Sequence, residues 1–157
     1  VPTPEPVPES PPAVVAVGWA TVDLDRAAAE LAPLLDPGMS FVDAVDSVLL
    51  GARCRVGRAS RMERPDGATM VILLEPRTEG RLAATLARHG EGWCATWEVQ
   101  DPVSDDDARP HGEPGRDSGD RVTSARRAGP LGEERLVSDG PASGPHRLLV
   151  SAATIRA

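Results

Sequence analysis

Glu98 is the residue whose neighbours best suit it to move a proton. It closes the run WCATWEV (93–99), which reads as a strand from its aromatic and β-branched residues. Strand alternation puts Cys94, Thr96 and Glu98 on one face and Trp97 on the other. A carboxylate on a largely apolar wall has its charged form disfavoured, so its pKa climbs towards the range of a useful general base. The alternative is a pair with an arginine such as Arg53 or Arg55, which would only solvate the wall. These two arginines alternate with Ala52, Cys54 and Val56 and share a strand face. There they can hold an anionic group bidentately, or stay solvated.

The other reactive residues are less well placed. Cys94 needs a histidine beside it to act as a nucleophile. His89, His111 and His146 stand at no diagnostic spacing, so a buried, inert thiol is expected. Asp105, Asp106 and Asp107 lack the loop glycine and distal glutamate of a calcium loop, which leaves a solvated acidic segment. The chain has no Lys, Tyr or Asn, and all 17 basic residues are Arg. That removes Schiff-base lysines, tyrosine acids and P-loop lysines.

A length of 157 residues suits one domain. A net charge of −7 argues against nucleic-acid backbones and against anionic membrane surfaces. No apolar run approaches the ~20 residues of a membrane span. No basic segment leading into an apolar one marks a secretory leader, so a cytoplasmic location is expected. Two cysteines make no disulfide framework, and free thiols are expected.

The elements that must position these groups follow from pattern. Residues 1–12, with six prolines, form an extended arm. VVAVGWATV (14–22) is a buried strand. Asp23 or Asp25 caps the next helix, which turns Leu24, Ala28 and Leu31 to one side until Pro33 limits it. Residues 40–59 are one or two strands bent at Gly51 and Gly57, and MVILLE (70–75) is a second buried strand. Thr78 can cap the helix GRLAATLARH, which packs Leu82 and Leu86 inward and stops at Gly90. Residues 101–120 carry seven acids and two arginines among prolines and glycines, an acidic mobile loop. RVTSARRAG and ERLVSDG suggest short strands, and residues 146–157 a closing strand. AVGWATV (16–22) can be laid over CATWEV (94–99), which aligns Trp19 with Trp97 and hints at an internal duplication.

The run LLEP…LARHGEGWCATWEV, with VGWATVDLDRAA before it, resembles the vicinal oxygen chelate superfamily of glyoxalases, bleomycin-resistance proteins and extradiol dioxygenases. The nearest pattern is that of the methylmalonyl-CoA epimerases. The resemblance implies an α+β fold in which two paired βαβββ modules form a cup-shaped mixed sheet with helices outside. Module one would span about 13–76, a linker helix 78–90 and module two 92–157, all within one domain, 13–157. A homodimer is also implied.

Such cups usually hold a divalent metal on His, Gln or Glu. Here the corresponding positions fall on Ala16, on Ile72 (Met70 if the register slips), on Cys94 and within residues 150–152, where no carboxylate stands. One thiol does not make a metal site. No metal and no cofactor are therefore expected. On the cup face of the first strand lie Ala16, Gly18 and Ala20. With Arg53, Arg55, Ile72, Trp93 at the rim, Cys94 and Thr96, they make the expected ligand wall, and Glu98 the expected base. The leading expectation is a metal-independent protein of bleomycin-resistance type that binds a small natural product or drug-like metabolite. The rival is a cofactor-free isomerase, epimerase or cyclase of a bacterial biosynthetic pathway. A third is a degenerate member that serves only as a dimerising partner.

Overall fold

A computed structural model describes residues 13–59, 68–77, 79–100, 126–137 and 145–151. The proline-rich arm (1–12) and the acidic segment (101–120) lie outside these residues. The described chain runs β1 (Ala13–Ala20), α1 (Leu24–Leu35), β2 (Phe41–Ser47), β3 (Ala52–Arg58), β4 (Met70–Pro76), α2 (Arg81–His89), β5 (Gly92–Gln100), β6 (Arg127–Gly129), β7 (Gly132–Val137) and β8 (His146–Ser151).

One eight-stranded mixed sheet contains all the described strands, in the order β2-β3-β4-β1-β5-β8-β7-β6. β1 runs parallel to β4, β5 runs parallel to β8, and β1 meets β5 antiparallel. The two halves thus repeat one strand order about the β1–β5 junction, as the α+β cup requires. The far edges meet as well: the Val48 amide, just past β2, donates to the Ala128 carbonyl of β6 at 3.2 Å. The cup is nearly closed into a barrel.

Local chemistry explains the helices. The Asp23 side chain accepts from the Arg26 amide at 3.0 Å and caps α1. A second carboxylate, Glu75 of β4, accepts from the Leu24 amide at 3.0 Å. Pro33 does not end α1, which continues to Leu35. The carbonyl that loses its partner belongs to exposed Ala29, four residues earlier, where water can replace the bond. Gly80 occupies the N-cap of α2, and among the described residues no side chain caps it; Thr78 lies outside the described residues. Gly90 ends α2 at φ 73°, the left-handed region that glycine adopts without steric cost.

The sheet separates two apolar layers. On its outer side, Leu24 and Ala27 of α1 pack on Leu73, with Trp19 and Leu31 beside them. On its inner side, Ala16, Ala20, Cys54, Ile72, Leu74, Trp97 and Leu148 form one continuous core, which Leu82 and Leu86 of α2 join. Burying each large inner side chain contributes about 1.5–3 kcal/mol.

Candidate functional site

Two bulges decide what the cup contains. In the pairing of β1 with β5, Gly18 lies opposite Ala95 and Trp19 opposite Trp93, which leaves Cys94 as an extra residue. A second extra residue, Val15, separates the pairs Val14–Glu98 and Ala16–Trp97. At the first bulge Cys94 and Ala95 both enter the inner core, and the alternation changes phase. Ala95 and Trp97 therefore face inward, opposite Gly18 and Ala16. Thr96 and Glu98 face outward, opposite Val17 and Val14. This corrects the orientations read from simple alternation, which ran inward from Cys94 through Thr96 to Glu98 and put Trp97 behind the wall.

Glu98 is held on that outer face. Arg147 of the neighbouring β8 grips it with both arms, Nε to Oε1 at 3.0 Å and Nη2 to Oε2 at 2.9 Å. The expected pairing of Glu98 with an arginine is thus present, but with Arg147 in place of Arg53 or Arg55. Arg53 pairs with Glu75 at 3.3 Å, and Arg55 with Asp25 at 2.7 Å and Asp43 at 2.9 Å. Both arginines belong to the face that carries α1. Trp93 is 46% exposed and meets Trp19 edge-on, ring centres 5.0 Å apart.

The expected site residues consequently divide. Ala16, Gly18, Ala20, Ile72 and Cys94 line the inner core. Arg53, Arg55, Trp93, Thr96 and Glu98 do not join them. The inner set is tightly packed: Ala16, Ala20, Ile72 and Trp97 have 0% exposure.

The polar group inside the cup is Glu134 of β7, also at 0% exposure. Its Oε1 accepts from the Ser47 hydroxyl of β2 at 2.5 Å, and its Oε2 from Trp97 Nε1 at 2.8 Å. Ser47 in turn accepts from the Leu50 amide at 3.3 Å. Burial pushes the carboxyl pKa up, and the two hydrogen bonds only partly oppose it. Gly129 makes room: a Cβ there would lie 2.2 Å from the carboxyl carbon. A sequence signal for Glu134 exists. It stands two residues before Leu136, so an inward Leu136 carries Glu134 inward with it.

The thiols and the described histidines are quieter. Burial pushes Cys54 and Cys94 up to about 12, so both stay protonated. His146 meets the Thr85 hydroxyl of α2 at 2.9 Å, and burial with the nearby Arg81 charge lowers its pKa. His89 is exposed at the end of α2, and His111 lies outside the described residues.

No protein-family model and no curated protein sequence matches the chain. Solved structures do. A variant of Streptomyces coelicolor methylmalonyl-CoA epimerase in complex with 2-nitronate-propionyl-CoA is 24% identical, with TM-score 0.65, over 92% of this chain and 99% of that one. A methylmalonyl-CoA epimerase in complex with methylmalonyl-CoA and NH4+ is 24% identical, with TM-score 0.66, over 93% and 98%. The Mycobacterium tuberculosis epimerase is 20% identical, with TM-score 0.63, over 88% and 87%. This chain has the vicinal oxygen chelate fold.

Among the described residues, the positions where the resemblance expected metal ligands offer few donors. Ala16, Ile72 and Val150 have no donor atom in their side chains, and the Cys94 thiol stays protonated. The Glu134 carboxyl already serves Ser47 and Trp97. Among the described residues, no three His, Cys, Asp or Glu side chains converge. The described residues do not fit a divalent metal.

Proposed function

We propose that this chain binds a small organic molecule in its cup without using a metal ion, as a binding protein of bleomycin-resistance type. One observation carries the reading: among the described residues the inner wall is mostly apolar, and it holds one carboxyl, Glu134, whose pKa burial raises. Such a wall favours a flat or apolar ligand. Acyl thioesters are the first class to test, because the solved neighbours include complexes with methylmalonyl-CoA and 2-nitronate-propionyl-CoA. A homodimer in the cytoplasm belongs to the same proposal, and light scattering on the purified protein tests the dimer. Native mass spectrometry of protein purified from its own host should reveal a retained small molecule. If no mass is retained, and neither acyl thioesters nor aromatic metabolites shift the melting temperature, the reading fails.

A second reading is a cofactor-free isomerase, and Glu134 is what favours it. The base expected at Glu98 is occupied by Arg147 on the far side of the sheet. Glu134 is inward, and burial raises its pKa, the direction a general base needs. Two-base epimerisation needs proton carriers on opposite faces of one carbon. Among the described residues the cup wall offers one carboxyl, which suits a one-base proton shift. For an enzyme, Glu134→Gln should abolish turnover and spare binding. Turnover that survives the change would remove Glu134 from the mechanism.

A further inference from the structure

We infer that the Ser47–Glu134–Trp97 contact is a protonation-controlled latch on the seam between β2 and β6, and that this seam is where the cup opens. The inference rests on the small-molecule reading for its purpose, but not for its physics.

The two ends of the sheet meet without a described strand ladder. The backbone link between them is the Val48 amide to the Ala128 carbonyl at 3.2 Å. Ser47, one residue before Val48, reaches across to Glu134 of β7, which follows β6 by a tight turn. Trp97 anchors the other carboxyl oxygen from the middle of the sheet. One side chain therefore joins the first half of the molecule to the last strands, beside the sparsest junction of the barrel. Gly129 of β6 lies against that carboxyl.

The latch depends on charge. As an acid, Glu134 accepts from Trp97 and can donate to the Ser47 oxygen or accept from its hydroxyl. As an anion, it has the same two partners and no exposure to solvent, in a core whose other described wall residues are mostly apolar. From β3, the titratable group facing it is Cys54, which stays a neutral thiol. On β2, Asp46 pairs with Arg77. On β5, Glu98 lies across the sheet with Arg147. On β6 and β7, Arg127, Glu133 and Arg135 are exposed to water. No described cation compensates a Glu134 anion. Ionisation is relieved by admitting water, and the seam is the edge with the fewest bonds to break. Rising pH then loosens β2 from β6 and exposes the indole of Trp97.

Hydrogen exchange followed by NMR tests this on the protein without ligand. The readouts are the Val48 amide and the Trp97 indole N–H, expressed as protection factors so that base catalysis of exchange itself is removed. As pH rises from 4.5, the ordinary carboxyl value, into the alkaline range, both factors should fall by about tenfold or more in wild type. In Glu134→Gln, whose amide can serve both partners uncharged, they should stay level. The infrared carbonyl band of the buried acid in wild type should disappear over the same pH range, which gives a test that needs no variant. Level protection in wild type while that band disappears would overturn the latch, as would an equal fall in the glutamine variant. Since no ligand is present, a protein that binds nothing can still pass, and a binder can still fail.

Discussion

A Cβ on Gly18 would stand 2.7 Å from Cζ3 of Trp97, with Ala95 and Leu74 each at 3.0 Å. The bare backbone of β1 is what lets the indole lie across the inside of the cup. Gly18→Ala forces the ring or the sheet to move, and should lower unfolding free energy by about 1–3 kcal/mol. Urea denaturation checks this. An unchanged midpoint would mean that the indole repacks freely.

Removing the carboxyl of Glu134 leaves the Trp97 N–H and the Ser47 hydroxyl without their acceptor, and opens a cavity. Glu134→Ala should cost about 2–4 kcal/mol. Gly129→Ala should also destabilise, because its methyl meets the carboxyl. The double variant should cost less than the sum of the two, since the residue that clashes has been shortened. Strict additivity in a denaturation cycle would contradict the close approach.

Cys54 and Cys94, with pKa values pushed up to about 12 by burial, should resist thiol reagents. At about pH 8 an Ellman assay should label them roughly a thousandfold more slowly than a free thiol, and fully once denaturant is added. Rapid labelling of either in the native protein would show that the inner core opens readily.

Glu91 sets an acid limb on stability. It accepts from the Thr21 hydroxyl at 2.7 Å, the Val22 amide at 2.9 Å and Arg26 at 2.5 Å, which holds its pKa near 2 against an ordinary 4.5. The folded state binds its proton less readily than the unfolded chain. The stabilisation is therefore complete above 4.5 and lost as pH falls through about 2. Glu134 has the opposite sign: its folded pKa is raised, so its contribution is complete below 4.5 and lost as pH rises through the folded value. Melting temperatures across pH should show the acid limb weakened in Glu91→Gln and the alkaline limb flattened in Glu134→Gln. A profile that neither change alters would refute both assignments.

Arg147→Ala strands the Glu98 carboxylate, whose side chain is 9% exposed. The arginine itself is partly solvated, so a loss of about 1–3 kcal/mol is expected, short of a fully buried pair. Adding Glu98→Ala should recover part of it. If the protein proves to be an enzyme, Glu98→Gln should leave turnover in place, which a steady-state assay would show.

Local pattern was enough for most of the framework. The Asp23 cap, the Gly90 stop, the continuous apolar strand 70–75 and the order of elements are short-range chemistry, while the cup-shaped sheet followed from the resemblance that those segments carry. The lack of side-chain donors at Ala16 and Ile72 is a property of residue identity and was legible directly. Tertiary structure alone decided what faces the cup. Alternation has a period of two, so the extra residue at Cys94 turned Thr96 and Glu98 outward and Trp97 inward. That bulge depends on how β5 meets β1, a pairing between residues far apart in sequence. Glu98 found Arg147, 49 residues on, because β5 lies parallel to β8. Glu134 met Ser47, 87 residues away, because the sheet curls until its ends touch. Side-chain identity sets which bonds are possible, and only the closed sheet determines which of them form.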